Sequence, residues 1–169
     1  MRGISTWSLA LVALGLMAGA AEAAPELLGT YDDWSAYTYQ GPDGKVCYAV
    51  SSPKKSDSSR KVKRDPIFFL VTNMPGRKVR GEVSTIIGYP FKESSLVTLK
   101  VDNQNFELFT NGDGAWADTS AKEKQILGAM KKGHSLSVAG TSSRGAQTTD
   151  HYSLAGISSA VDKIDSACK

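Results

Sequence analysis

From residue 34 onward, apolar side chains recur mostly at every second position, the spacing that gathers them on one face of a β-strand. Trp34 to Tyr39 is rich in aromatic and β-favouring residues and predicts a strand. The turn sequence Gly41-Pro42-Asp43-Gly44 follows, and then a second strand from Lys45 to Ser52, so that Trp34 to Val50 reads as a hairpin. In that second strand Val46, Tyr48 and Val50 share one face, and Cys47 and Ala49 the other. Ile67-Phe68-Phe69-Leu70-Val71 is apolar without alternation, which predicts a central strand covered on both faces. Further strands are expected at Val79–Ile87, at Leu96–Val101, and around Phe106 and Leu108. Asp102-Asn103-Gln104-Asn105 and Asn111-Gly112-Asp113-Gly114 supply the turns. The last strands carry Leu136, Val138 and Gly140, then Tyr152 and Leu154. Pro25 to Asp33 reads as an N-terminal arm, and Pro53 to Pro66, almost free of apolar residues, as a long loop.

The period changes twice. Ser120-Ala121-Lys122-Glu123 matches a capping box, with Ser120 at the N-cap and Glu123 at N3. Ile126, Leu127 and Met130 continue it as a modest helical stripe, with Gly133 at its C′ end. After Gly156, Ile157, Ala160, Val161 and Ile164 fall at i, i+3, i+4 and i+7. The expected fold is therefore mainly β. It is an antiparallel β-sandwich or flattened barrel of roughly eight or nine strands, with one internal helix and a C-terminal helix.

Ahead of this domain the chain starts Met1-Arg2-Gly3, then runs apolar from Trp7 to Ala21 and reaches Ala21-Glu22-Ala23 before Ala24-Pro25. The pattern is that of a signal peptide over residues 1–23, leaving 24–169 as a single β domain. The run is shorter than the roughly 20 residues that a spanning helix needs. The exported chain is thus expected to be soluble, with no transmembrane segment after cleavage, in the periplasm or secreted and associated with the outer surface. The formal charge of +3 survives cleavage, because Arg2 and Glu22 leave together. So mild a basicity does not mark a nucleic-acid binder.

Export bears on the two cysteines, Cys47 and Cys168. In an oxidising compartment they most simply pair, fastening the last helix to an early strand; two inert buried thiols are the alternative. A loop of more than 100 residues closed in this way contributes about 4–5 kcal/mol in the chain-entropy view, before strain.

The closing stretch Tyr152-Ser153-Leu154-Ala155-Gly156-Ile157-Ser158-Ser159-Ala160, followed by a helix ending in Cys168, resembles the end of the invasion-associated locus B family of bacterial envelope proteins. Gly140-Thr141-Ser142-Ser143-Arg144-Gly145 before Thr148-Thr149-Asp150 resembles that family's small-residue strand and turn. The likeness extends more loosely over the rest of the mature chain, including Trp34 and the Cys47 strand. It implies an envelope location and an association with host-cell invasion, and it brings no catalytic motif.

Candidate chemistry is sparse. Gly156-Ile157-Ser158 lacks the second glycine of a nucleophile elbow. Asp150 and His151 are neighbours on a strand and so face opposite ways, and His134 sits at an element boundary. The cysteines and histidines show no zinc spacing, and neither acidic turn reproduces a calcium loop. No catalytic residue, metal or cofactor is expected. What stands out is the basic run of Lys54, Lys55, Arg60, Lys61, Lys63 and Arg64, set against Asp57 and Asp65. It is expected to meet an anionic envelope or host partner; its bland reading is a solvated loop. The absence of interleaved aromatics argues against nucleic acid. The sequence thus favours a non-enzymatic binding or structural protein of the envelope, with a host-contacting adhesin and a periplasmic enzyme acting on envelope polymers as the alternatives.

Overall fold

The computed structural model describes residues 24–169; the expected signal peptide lies outside the described residues. The strands are β1 (Glu26–Tyr31), β2 (Trp34–Gly41), β3 (Gly44–Ser51), β4 (Lys55–Ser58), β5 (Phe68–Met74) and β6 (Val79–Ile86), then β7 (Leu96–Val101), β8 (Gln104–Asn111) and β9 (Gly114–Trp116). Helix α1 (Ser120–Met130) comes next, followed by β10 (Ser135–Thr141), β11 (Gln147–Ser153) and helix α2 (Ile157–Ala167). All eleven strands join one antiparallel sheet in the order β1-β2-β3-β5-β6-β9-β8-β7-β10-β11-β4. The mainly β class and both helices are as the periodicity predicts. The strand count exceeds the expected eight or nine, because β1 and β4 form where an arm and a loop were expected. Both are edge strands, and their pairing comes from a neighbour rather than from their own patterning: Leu27 of β1 lies opposite Tyr37, and Ser56 of β4 opposite Asp150.

The sheet is not closed, yet its ends fold towards each other. The indole Nε1 of Trp34 on β2 donates to the carbonyl of Ser153 on β11 at 3.0 Å. The Phe69 ring on β5 lies edge-on between Trp34 and Tyr152, with centroids 6.3 and 5.8 Å away. The inner face so enclosed carries the core: Ala36, Ala49, Val71, Val83, Leu99 and Val138 are all fully buried.

Both helices lie on this inner side. In α2 the expected stripe of Ile157, Ala160, Val161 and Ile164 is buried throughout. The helix starts at Gly156, whose φ of 90° suits glycine, and a Cβ there would meet the Tyr31 carbonyl oxygen at 1.9 Å. Its far end is joined to β3 by the Cys47–Cys168 disulfide, with Cα atoms 5.9 Å apart. Lys45 Nζ also donates to the Ala167 carbonyl at 2.8 Å, satisfying one of the helix's terminal acceptors. Helix α1 begins one residue earlier than the capping box implied. Thr119 is the N-cap, and its hydroxyl accepts from the Lys122 amide, so Ser120 becomes the first helical residue and Glu123 is not the residue that completes a box.

One expectation about β5 fails in an informative way. Phe69, Val71 and Asn73 are buried, whereas Phe68, Leu70 and Thr72 are only partly so. The strand is covered on one face alone. Both helices pack on the side of Cys47 and Gly81, and among the described residues no helix or strand is layered over the other side.

Candidate anion-binding surface

Between β3 and β5 the chain passes through every residue of the basic run, and the structure gives these residues unequal roles. The segment first runs along the edge of the sheet as β4, paired to β11 from Ser58 opposite Thr148 to Lys55 opposite His151. Here the positive charges are answered locally. Lys54 pairs with Asp33, and Lys55 lies 2.8 Å from Asp57. These lysines hold both carboxyls below the usual range, chiefly by hydrogen bonding.

Arg64 departs most from the sequence reading. It is no part of an exposed contact: its side chain is only 10% exposed. Its two terminal nitrogens reach the carboxylate of fully buried Asp150 at 2.7 and 2.5 Å, a bidentate pair. Nε donates to the Ile87 carbonyl at 2.9 Å, and the guanidinium lies 5.1 Å from the Tyr89 ring centre. Asp150 also accepts from the Ser56 hydroxyl at 2.6 Å, and Tyr89 and Thr148 share a hydroxyl bond of 2.6 Å alongside. The Asp65 amide donates to the Gly88 carbonyl at 2.9 Å. Arg64 therefore pins the basic segment to the sheet.

What remains outside is a cleft of about 530 Å³ between this segment, Gly88–Pro90 and the turn at Ser142–Arg144. Arg60, Lys61, Lys63 and Arg144 line it, with Asp65 the opposing charge apart from the Arg64–Asp150 pair. Arg60 is steadied by a 2.9 Å bond to the Gly145 carbonyl. Sequence reasoning placed Arg144 in a loop and missed it as a site residue. It lies far along the chain from the basic run, and the pairing of β4 with β11 brings the two loops together. Several cations around one concavity are the chemistry that a phosphate, sulfate or carboxylate group would meet.

The histidines stand elsewhere. His134 is 94% exposed, 3.8 Å from Asp102. His151 lies beside Asp57 at 3.2 Å on the outside of β11, while Asp150 points inward, as alternation requires. Asp102 spends its oxygens on the amides of His134 and Ser135 and on the Ser135 hydroxyl; these bonds, Ser135's foremost, hold its carboxyl low. It fastens the turn before β10. Among the described residues no group of three or more His, Cys, Asp or Glu side chains is placed to hold a metal, and no helix is long and apolar enough to cross a membrane.

The crystal structure of invasion associated protein b from Bartonella henselae superposes with a TM-score of 0.57 at 19% identity, covering 86% of this chain and 97% of that one; at that identity the likeness is one of fold. A search of curated proteins finds no match. The family model for invasion associated locus B (IalB) protein matches residues 34–165, from the buried Trp34 to the last turn of α2. A match over that much of the described fold makes the chain a member of the invasion associated locus B family.

Proposed function

We propose that this protein is exported and acts without catalysis in the cell envelope, binding an anionic partner through the cleft of Arg60, Lys61, Lys63 and Arg144. The observation that carries this reading is the division of labour within the basic run. Arg64 is committed to Asp150 and ties the segment to the sheet, and Arg60, Lys61, Lys63 and Arg144 line an open concavity beside it. The signal-like leader and family membership support the envelope, and the family's name supports a contribution to host-cell invasion. The inward placement of both helices and the near approach of the sheet's ends support the flattened-barrel form of the expected fold.

The test uses residues 24–169 with lipopolysaccharide and with dextran sulfate, titrated against salt. Binding is expected to weaken steeply as salt rises, because several exposed contacts contribute small, screened amounts. Replacing Arg60, Lys61, Lys63 and Arg144 with Ser is expected to abolish it while leaving thermal unfolding nearly unchanged. Salt-insensitive binding, or equal binding by the neutral variant, would reduce the segment to a solvated spacer.

A further inference from the structure

The uncovered face of the sheet has a pattern of its own. Register places Leu96, Phe109, Trp116, Ser84, Leu70 and Val50 side by side, each opposite the next on the adjoining strand. At the usual spacing between strands this row runs roughly 24 Å across the sheet. Ser84 is the sole polar member, and it is buried. The Trp116 ring extends over Gly114, where any Cβ would strike it at 2.3 Å, and its centre lies 6.0 Å from that of Phe109. Beyond Val50 the face continues in aromatics. Tyr37 stacks on Tyr48 with centroids 5.4 Å apart, and Tyr39 meets Tyr48 edge-on at 6.2 Å. An open groove of about 500 Å³ runs between these rings, Phe68 and Leu70. Leu27, opposite Tyr37, closes the far side. The large apolar side chains that stay exposed in the described fold, Leu27, Leu96 and Phe109, all stand on this one face.

Such a band is more than scattered surface leucines explain. One border is basic. At the strand ends marked by Phe68 and Ile86 the band adjoins the basic segment, held there by the Arg64 bond to the Ile87 carbonyl and the Asp65 bond to the Gly88 carbonyl. Arg60, Lys61 and Lys63 stand on that segment.

We infer that this face is a peripheral membrane-contact surface, whose occupant is the headgroup and upper acyl region of an anionic phospholipid bilayer. The inference rests on the anionic-partner reading above and names that partner's class. Two features favour a bilayer over a second copy of the chain. The sheet curls around its inner helices, so the band is convex; two such faces would touch over little area, whereas lipid conforms to them. Tyrosine and tryptophan, with apolar rings and polar tips, also suit the layer where headgroups meet acyl chains. The basic segment at the Phe68 and Ile86 end then lies against the phosphates.

The experiment uses residues 24–169 with phosphatidylcholine vesicles, with and without phosphatidylglycerol, and with dextran sulfate as a lipid-free polyanion. Trp34 is fully buried, so Trp116 is the responsive indole, and vesicles with brominated acyl chains are expected to quench it. Trp116→Phe is expected to remove that quenching. Leu96→Ser with Phe109→Ser removes exposed groups and spares the core. It is expected to weaken binding to phosphatidylglycerol vesicles about tenfold or more, leaving dextran sulfate binding unchanged. Vesicle binding that ignores the double variant, or absence of Trp116 quenching, would overturn the membrane surface while leaving the anion-binding cleft intact. Failure to bind either vesicles or dextran sulfate would overturn both. A dimer in light scattering that the double variant dissociates would assign the face to a second copy instead.

Discussion

Two segments outside the main sheet order are fastened to it by opposite means. Helix α2 is held by an apolar stripe and a covalent bond, and the basic segment between β4 and β5 by one buried ion pair with a few hydrogen bonds. The stripe gains from each methylene removed from water and tolerates small rearrangement. The ion pair gains only while both charges are present: either one alone leaves an uncompensated charge inside the protein. The comparison separates a dock that degrades by degrees from one that fails at a single residue.

The sharpest way to break the comparison is Arg64→Ala. Asp150, with no exposure, loses its bidentate partner, and the expected cost is about 3–5 kcal/mol, read as a fall in the urea midpoint. Replacing Arg64 and Asp150 together with apolar residues of similar bulk should recover much of that loss. If Arg64→Ala unfolds like the parent, the pair is not a latch. The dock of α2 is tested by Cys47→Ala with Cys168→Ala, for which about 2–4 kcal/mol is expected, smaller because the stripe of Ile157, Val161 and Ile164 remains.

This contrast also decides what was legible in the sequence. The α2 dock was readable because period and chemistry repeat: four apolar residues share one stripe, and a lone pair of cysteines sits in a chain that starts like an exported one. The latch was not, because Arg64 looks like its five cationic neighbours. Only the pairing of β4 with β11, between residues far apart in the chain, turns it inward. For the same reason Arg144 was missed as a cleft residue. The outer band was half-visible. Tyr37 with Tyr39, and Val46 with Tyr48 and Val50, share faces by simple alternation, but each strand was apolar on both sides. Which face was core depended on where the helices packed. The continuous apolar run Ile67–Val71 reads as double coverage for that reason.

Charge outside the latch should behave differently, which sharpens the comparison further. Lys61→Ser with Lys63→Ser changes exposed side chains that make no ion pair among the described residues, and it is expected to shift stability by no more than about 0.5 kcal/mol. The same change should flatten the salt dependence of anion binding. A large loss of stability would mean that the segment has a second anchor.

The smallest effect is expected at the third docked element, α1. Glu82 on β6 and Glu123 in the first turn of α1 lie close enough to repel. Burial raises both carboxyls above their ordinary values; proximity to Glu82 raises Glu123 further, and Arg77 offsets part of the rise at Glu82. The folded protein then binds more protons than the unfolded chain as pH climbs from the ordinary glutamate value of 4.5 through the raised ones. Stability must fall with rising pH across that window and level off above it. Glu82→Gln removes one charge and relieves the other. It is expected to raise stability slightly at pH 7, by about 0.5 kcal/mol or less, read as a higher midpoint of thermal unfolding, and to leave it unchanged near pH 4. Measuring the parent and the Glu82→Gln variant across that range decides the matter, since a variant that gains equally at every pH would owe its gain to packing rather than to the paired carboxylates.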